Sequence, residues 1–216
     1  RMTEPRPHPP LPPVPPVLPA SAFSARDHAA MAEALALAEQ GFGLTEPNPR
    51  VGCVLSDAAG RVLGRGHTQQ AGGPHAEVMA LRNAAARGHD VAGATAYVTL
   101  EPCAHHGKTG PCAEALVAAG IARVVSAIAD PDPRVSGGGH AILERAGVAF
   151  ETGPGAEEAR RDEKEQMRSK LRHRAIVEHS ILSTNAAWLD DRVLRDVKAW
   201  EKAERVRLRF INAGGM

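Results

Sequence analysis

The sequence predicts an α/β protein in which helices cover both faces of a mixed central sheet of about five strands, a three-layer α/β/α arrangement. Three observations favour this class. Helical and strand patterns alternate through the middle of the chain, the first two strand patterns are separated only by a short turn, and glycine or proline marks most element ends. No segment repeats at a fixed period, so a solenoid is not indicated.

The chain divides into a leader at residues 1–22, a folded domain at 23–153 and a charged extension at 154–216. Nine of the 17 prolines lie in the first 19 residues and favour an extended, disordered leader over a ligand for an aromatic groove. The extension is dense in both signs of charge and has too few apolar residues for a core of its own. We expect it to be helical or partly disordered, and to pack on the domain, pack on a partner or stay loose.

The domain begins with a helix and a β-hairpin. Ser24 is a helix-capping residue, Met31 and Leu35 follow among alanines, and Gly41 ends the pattern. Two short apolar runs, VGCVL and RVLGRG, are separated by the turn residues SDAAG, which predicts a hairpin. Because hairpin strands are antiparallel, the sheet is predicted to be mixed.

Helices and strands alternate over the remainder of the domain. The stretch from His75 has Val78, Leu81 and Ala85 at helical spacing and predicts a second helix. The β-branched run ATAYVTL predicts a buried strand, CAEALVAAG a third helix and IARVVSAIA a further strand. The stretch DPDPRVSGGG is predicted to be a turn-rich loop, and HAILERAGVAFET a short helix and the last strand.

Composition limits the classes of partner and location. Lys and Arg number 26 against 25 for Asp and Glu, so no overall charge attracts nucleic acid or an anionic membrane. No apolar run is long enough to span a membrane, and no secretory signal is indicated. Three cysteines make a poor disulfide framework. The sequence therefore favours a cytoplasmic protein without a nucleic-acid or membrane partner.

The candidate catalytic residues are His75, Glu77, Cys103 and Cys112. The first two open the second helix, Cys103 follows a strand, and Cys112 begins the third helix. One imidazole and two thiolates suit a catalytic zinc ion, Zn²⁺, which keeps its fourth position for water. The free N–H groups at the start of the third helix favour a thiolate at Cys112. Glu77 is then placed to move the proton of that water.

Each of these residues also has an ordinary structural interpretation. Taken alone, His75 and Glu77 are common residues for a first helical turn. The two further cysteines in the same domain make the metal interpretation preferable. Cys53 lies within the apolar run VGCVL and is interpreted as a small buried hydrophobe.

The pattern H-A-E, followed by P-C and a further cysteine, resembles the zinc-dependent cytidine and deoxycytidylate deaminase superfamily, whose glutamate is a proton shuttle. That family usually has two residues between its cysteines, whereas eight separate Cys103 from Cys112. The longer loop resembles the RibD-type deaminases of riboflavin biosynthesis, as do the stretches TEPNPRVGCVL, GGPHAEVMAL, ATAYVTLEPC and DPDPRVSGGG. The resemblance covers about residues 24–152.

This resemblance implies zinc-dependent hydrolytic deamination of 2,5-diamino-6-ribosylamino-4(3H)-pyrimidinone 5′-phosphate to the 5-amino-6-ribosylamino-uracil phosphate. It implies that His75, Cys103 and Cys112 bind the zinc ion. It also implies that Glu77 protonates the pyrimidine nitrogen next to the amino-bearing carbon, and then the departing amine. Proteins of this kind are usually assembled from two or more subunits. A small-molecule partner and a homo-oligomer are therefore expected.

Substrate contacts are expected from two segments. Asn48 matches a family asparagine whose amide both donates to and accepts from a pyrimidine edge. The loop between the two thiols passes close to the metal and offers donors to the ribose or its phosphate, namely His105, His106, Lys108 and Thr109. A flexible connector is the alternative for any one of these loop residues.

The resemblance stops at the extension. RibD-type proteins commonly continue into a reductase domain that uses NADPH, but residues 154–216 contain no G-x-G-x-x-G motif and are too short for that fold. We expect the reduction step to be absent, whether the chain is a natural single-activity enzyme or a truncated or diverged one. Two alternative functions remain open: a deaminase of another nucleobase, a nucleoside or tRNA adenosine, and a catalytically idle, zinc-stabilised binding protein.

Overall fold

A computed structural model of the chain describes residues 17–45, 48–105, 110–132 and 135–166. A short 3₁₀ turn at Ala20–Ala22 precedes the first helix, and residues 156–166 are helical after the last strand. The elements between them are, in chain order, α1 (Ala25–Glu39), β1 (Gly52–Ser56), β2 (Val62–His67), α2 (Ala76–Ala86), β3 (Thr95–Val98), α3 (Cys112–Ala118), β4 (Arg123–Ser126), α4 (Gly138–Arg145) and β5 (Ala149–Thr152).

The five strands form one mixed sheet in the order β2-β1-β3-β4-β5. Strand β1 pairs antiparallel with both β2 and β3, whereas β3, β4 and β5 are parallel. This topology confirms the predicted α/β class, the hairpin and the mixed sheet. The predicted helices are confirmed as well, and α4 begins inside the glycine run that was predicted to be loop.

Helices α1 and α2 cover opposite faces of the sheet. The Tyr97 hydroxyl of β3 donates to Asp27 of α1, so Tyr97 and its cross-strand partner Val54 face α1. Gly66 of β2 faces α2, and its partner across the sheet is Cys53. Cys53 and Val54 are neighbours in β1, and neighbouring residues of a strand point to opposite faces of the sheet. Helices α2 and α1, which these two residues face, therefore lie on opposite sides of the sheet. Helix α3 contacts α2 and α4.

The hydrophobic core fills both sides of the sheet. Cys53 is fully buried, as expected for a small hydrophobe. The largest fully buried apolar side chains come from every layer of the domain: Met31, Leu55, Leu116, Leu143, Val54, Val98, Val124 and Val125. Within the described ranges, no helix is both long enough and apolar enough to cross a membrane.

A buried carboxylate attaches α1 to the sheet. Asp27 and Ser24 form a capping box, and Asp27 Oδ1 also accepts hydrogen bonds from Tyr97 at 2.8 Å and Arg123 at 2.6 Å. Arg123 in turn pairs with Glu151 of β5. Burial raises the pKa of Asp27, but the hydrogen bonds from Arg123, Ser24 and Tyr97 outweigh it and hold that pKa well below its usual value. The network links α1 to three strands.

The described part of the predicted leader contacts the last strand. Val17 forms an isolated parallel bridge with Thr152, and the Leu18 N–H donates to Thr152 O at 2.7 Å. The first 16 residues lie outside the described part of the chain, so their predicted disorder stays a prediction.

The described part of the predicted extension packs on the domain. Gly155 lies against Met31 and Leu35 of α1, and the side chains of Ala159 and Gln166 are buried. Residues 156–166 therefore pack on the domain, and the three arrangements expected for the extension as a whole stay predictions. Residues 167–216 lie outside the described ranges, and the proposed domain limits stay predictions.

Gly66→Ala tests the close packing of α2 on β2. A Cβ at this position would overlap Ala76 O and Ala80 N, so we expect the free energy of unfolding to fall by about 1–3 kcal/mol because the helix must shift. Urea denaturation measures this change. Gly110→Ala is the control, since a Cβ there meets nothing within 4 Å. Equal stability of the two variants would contradict the packing argument.

Candidate active site

Three potential metal-binding side chains come from three separate segments of the fold. His75 is the N-cap residue of α2, Cys112 is the first residue of α3, and Cys103 lies in the loop between β3 and α3. The His75 side chain makes no capping hydrogen bond to the described residues of α2. Its ring faces the two sulfurs instead of the helix end, which removes the ordinary first-turn interpretation of this histidine.

The donor atoms of these residues lie close enough to share one ion. His75 Nδ1 is 3.5 Å from Cys103 Sγ and 3.4 Å from Cys112 Sγ, and all three donor atoms lie within 4.8 Å of one another. A tetrahedral zinc ion with usual bond lengths separates a nitrogen and a sulfur ligand by about 3.6 Å. The donor set fits zinc in both chemistry and spacing.

The two thiols differ in their preference for the charged form. A hydrogen bond from the Cys112 side chain, together with His75 and the Cys112 N–H at 3.4 Å, lowers the pKa of Cys103 to about 4. The same hydrogen bond to Cys103 raises the pKa of Cys112. The first N–H of α3 points at the Cys103 sulfur, so the helix start favours the charged form of that thiol. The thiolate expected at Cys112 stays a prediction for the zinc-bound protein.

The His75 imidazole also responds to the sulfurs. Its hydrogen bond with Cys103 raises the pKa of His75 above its usual value, although partial burial opposes the charged form. Zinc binds a neutral imidazole and a thiolate, so a proton carried by the His75 ring is released when the metal binds.

Glu77 is the acidic group of the site. It lies in the first turn of α2 and is only 3% exposed. Burial raises the pKa of Glu77 to about 7. A carboxyl group with this pKa takes up and releases protons close to neutral pH, as a general acid and base must.

A second buried carboxylate, Glu101, was not singled out in the sequence. It follows β3 and accepts four backbone hydrogen bonds. Its Oε2 accepts from Asp130 at 3.1 Å and Gly137 at 3.0 Å, and its Oε1 accepts from Gly139 at 3.0 Å and His140 at 3.4 Å. Glu101 thus caps α4 from a distant position and explains why that helix begins within the glycine run.

The start of α4 packs directly on the segment that carries Cys103. A Cβ on Gly139 would overlap Pro102 O, and a Cβ on Gly138 would lie 3.0 Å from Ala104 Cβ. The Ala113 N–H of α3 donates to Cys103 O at 3.2 Å. Glu101 and these close contacts hold the backbone on both sides of the thiol.

The predicted substrate-binding residues are only partly described by the structure. Asn48 is half-buried, and its N–H donates to Thr45 O at 2.8 Å in the turn that precedes β1. His105 is exposed at the end of the described part of the loop between the thiols. His106, Lys108 and Thr109 lie outside the described residues, so their roles stay predictions.

A cavity of about 600 Å³ lies beside the start of α2. It is bounded by Pro74, the residue before His75, and by Met79 of α2. The end of β2 and the following loop supply polar walls, including His67, Thr68 and Gln69. Sequence reasoning missed these walls because it treated GRGHT only as part of a hairpin. The signal that marks them is a run of polar residues between a buried strand and the helix of His75.

Comparison with known proteins gives concordant matches. Residues 24–128 match the family model for the cytidine and deoxycytidylate deaminase zinc-binding region. The chain is 54% identical over 123 residues to the riboflavin biosynthesis protein RibD of Escherichia coli, a match that covers 57% of this chain and 32% of that protein. The chain thus spans about a third of the length of the curated relatives it matches.

Two solved structures are similar to the described fold. RibD of Acinetobacter baumannii, form 1, has 47% identity and a TM-score of 0.61, with 64% of this chain and 38% of that chain covered. The diaminohydroxyphosphoribosylaminopyrimidine deaminase/5-amino-6-(5-phosphoribosylamino)uracil reductase of Thermotoga maritima has 42% identity and a TM-score of 0.60. That alignment covers 63% of this chain and 39% of the other.

Glu101→Gln tests the long-range cap. The amide keeps the size of the side chain but places an NH₂ donor against backbone N–H groups, so we expect the free energy of unfolding to fall by about 1–3 kcal/mol. Urea denaturation in the presence of a chelator measures this change without a contribution from metal binding. The matched control is Glu144→Gln, at an exposed position of α4. If both variants unfold at the same urea concentration, Glu101 does not stabilise the start of α4.

Proposed function

We propose that this chain, whose residues 24–128 match the zinc-binding region of the cytidine and deoxycytidylate deaminases, removes an amino group hydrolytically from a pyrimidine ring. The substrate that we propose is the 2,5-diamino-6-ribosylamino-pyrimidinone 5′-phosphate of riboflavin biosynthesis. The product is the corresponding 5-amino-uracil phosphate, with release of ammonia.

The observation that carries this proposal is the meeting of one imidazole nitrogen and two sulfurs beside a buried carboxylate. In this proposal His75, Cys103 and Cys112 hold the metal. Three protein ligands are typical of catalytic zinc sites, whereas structural sites use four. When bound there, zinc supplies a Lewis acid that makes a water molecule acidic near neutral pH.

Glu77 moves protons in the proposed reaction. It accepts a proton from the attacking water and delivers it to the ring nitrogen next to the amino-bearing carbon. It then accepts the proton of the newly added hydroxyl group and delivers it to the amine, which leaves as ammonia while the carbonyl forms. Its position in the first turn of α2, with only 3% of the residue exposed, supports this role because bulk water has little access to the carboxyl group. The anchored backbone of α2 holds the carboxyl group in one place throughout these transfers.

The choice of substrate rests on the loop between the thiols and on the relatives. Eight residues separate Cys103 from Cys112, and the similar proteins are RibD proteins and a diaminohydroxyphosphoribosylaminopyrimidine deaminase. In the proposal Asn48 binds the pyrimidine edge, and the loop of His105 contacts the ribose phosphate.

Assembly is part of the same proposal. The expected homo-oligomer is consistent with the exposed side chains of Phe42 and Leu44, which are 65% and 53% accessible and available to a second subunit. Sedimentation velocity measures this assembly, and a monomer at working enzyme concentration would contradict it.

Glu77→Gln tests the proton-transfer role. Purified protein loaded with zinc is offered the ribosylaminopyrimidinone phosphate, and ammonia release is followed. We expect the wild-type protein to release ammonia and the variant to be at least about 100-fold slower, because the amide cannot accept a proton. Bound zinc is measured in parallel and should be unchanged. A variant that loses its zinc would instead indicate a structural role for Glu77.

Cys112→Ser tests the proposed zinc ligands. We expect the wild-type chain to carry one zinc ion and the variant to retain little after dialysis, since a serine hydroxyl is a much poorer zinc ligand than a thiolate. Elemental analysis measures the metal content. Cys53→Ala is the matched control because it removes the buried thiol that lies outside the donor set. Equal zinc loss in the two cysteine variants would contradict the assignment.

A further inference from the structure

The side-chain amide of Gln166 is buried against the segment that contains Asn48. Gln166 is 6% exposed, and it lies in the helical segment after β5. Its Nε2 donates to Asn48 O at 2.9 Å, and its Oε1 accepts from the Arg50 N–H at 3.1 Å. Nε2 also lies 3.5 Å from the hydroxyl of the fully buried Thr45. Both ends of the amide are therefore engaged.

These two hydrogen bonds reproduce the pairing of a β-strand. In extended backbone, the carbonyl of one residue and the N–H two residues later point to the same side. Pro49, between Asn48 and Arg50, has no N–H to offer. The Gln166 amide supplies one donor and one acceptor to this side of the segment, as a neighbouring strand would.

The same helical segment also contacts the side chain of Arg50. Arg50 Nη2 donates to Asp162 O at 3.3 Å, one helical turn before Gln166. The Arg50 guanidinium also lies over the Phe42 ring, 5.1 Å from its centroid. The backbone and the side chain of Arg50 are thus both fixed from outside the sheet.

These contacts fix the main chain of Asn48. Its N–H donates to Thr45 O at 2.8 Å, and its carbonyl accepts from the Thr45 hydroxyl at 3.1 Å and from Gln166. Beyond Arg50 the chain enters β1, where the Val51 N–H is bonded to Thr68 Oγ1 at 3.2 Å. Gln166 therefore stabilises the part of the segment between the Thr45 turn and the sheet.

We infer that Gln166 is a positioning residue for substrate recognition by Asn48, supplied by a segment outside the matched region at residues 24–128. The inference rests on the proposed function, since it takes Asn48 as the residue that binds the pyrimidine edge. A side-chain amide discriminates between donors and acceptors only when its own backbone is fixed to within about 0.5 Å. Gln166 acts on substrate binding and has no part in the proton transfers at Glu77.

The experiment compares Gln166→Met with Glu165→Ala in the full chain loaded with zinc. Methionine keeps the length of the side chain but removes the donor and the acceptor, whereas Glu165 is an exposed neighbour on the same helical segment. We expect the KM for the ribosylaminopyrimidinone phosphate to rise about tenfold in Gln166→Met, with kcat within about twofold of wild type and zinc content unchanged. Glu165→Ala should keep the wild-type KM.

A second variant and a second measurement make the result decisive. Gln166→Glu retains the acceptor for the Arg50 N–H but loses the donor to Asn48 O, so it should also raise KM if Gln166→Met does not fold. Amide hydrogen exchange at Arg50 should be faster in Gln166→Met than in Glu165→Ala, because only the first variant breaks the hydrogen bond at that N–H.

The possible failures are distinguishable. If the wild-type protein releases no ammonia, the proposed function is wrong and the inference falls with it. If the wild-type protein is active and both Gln166 variants keep its KM, the inference alone is overturned. A fall in kcat and zinc content at unchanged KM also overturns it, because such a change reports general damage to the domain.

Discussion

Direct contact between the backbones of α2 and β2 determines where His75 and Glu77 stand. Gly64 and Gly66 present no side chain to the helix, so α2 lies closer to the sheet than any larger residue permits. The first turn of α2 carries both functional side chains at the helix end that adjoins the cavity. Close backbone packing therefore sets the position of the helix turn that carries the histidine and the acid.

The sulfur side of the site is held by a different kind of force. The carboxylate of Glu101 accepts hydrogen bonds from the N–H of Asp130 and from N–H groups at the start of α4. These bonds fix the start of α4 against Pro102. A buried carboxylate is stable only when its oxygens are well hydrogen-bonded, and these four N–H groups meet that requirement. Hydrogen bonds thus hold the backbone next to Cys103, whereas close apolar packing holds the helix that begins at His75. The candidate metal site lies where the two meet.

Local sequence signals predicted most of the fold and the donor set. Periodicity and capping residues identified α1 from Ser24 onward. Residue type, placement at element ends and the family resemblance together selected His75, Cys103 and Cys112. The same signals missed Glu101 and Gln166, because nothing near them in sequence reveals hydrogen bonds to residues 29 to 121 positions away. An N–H at a helix start favours negative charge on the atom that it points at. The sequence does not show that the first N–H of α3 points at the sulfur of Cys103.

The network from Asp27 through Arg123 to Glu151 extends past the end of the region that matches the deaminase family at residue 128. Strand β5 pairs along the whole of β4, so the cooperative folding unit is larger than the region recognised by sequence similarity. A fragment cut at that residue would turn β4 into an open sheet edge, with a row of unpaired N–H and C=O groups. Such an edge is a template for intermolecular strand addition, and the fragment would be prone to aggregate.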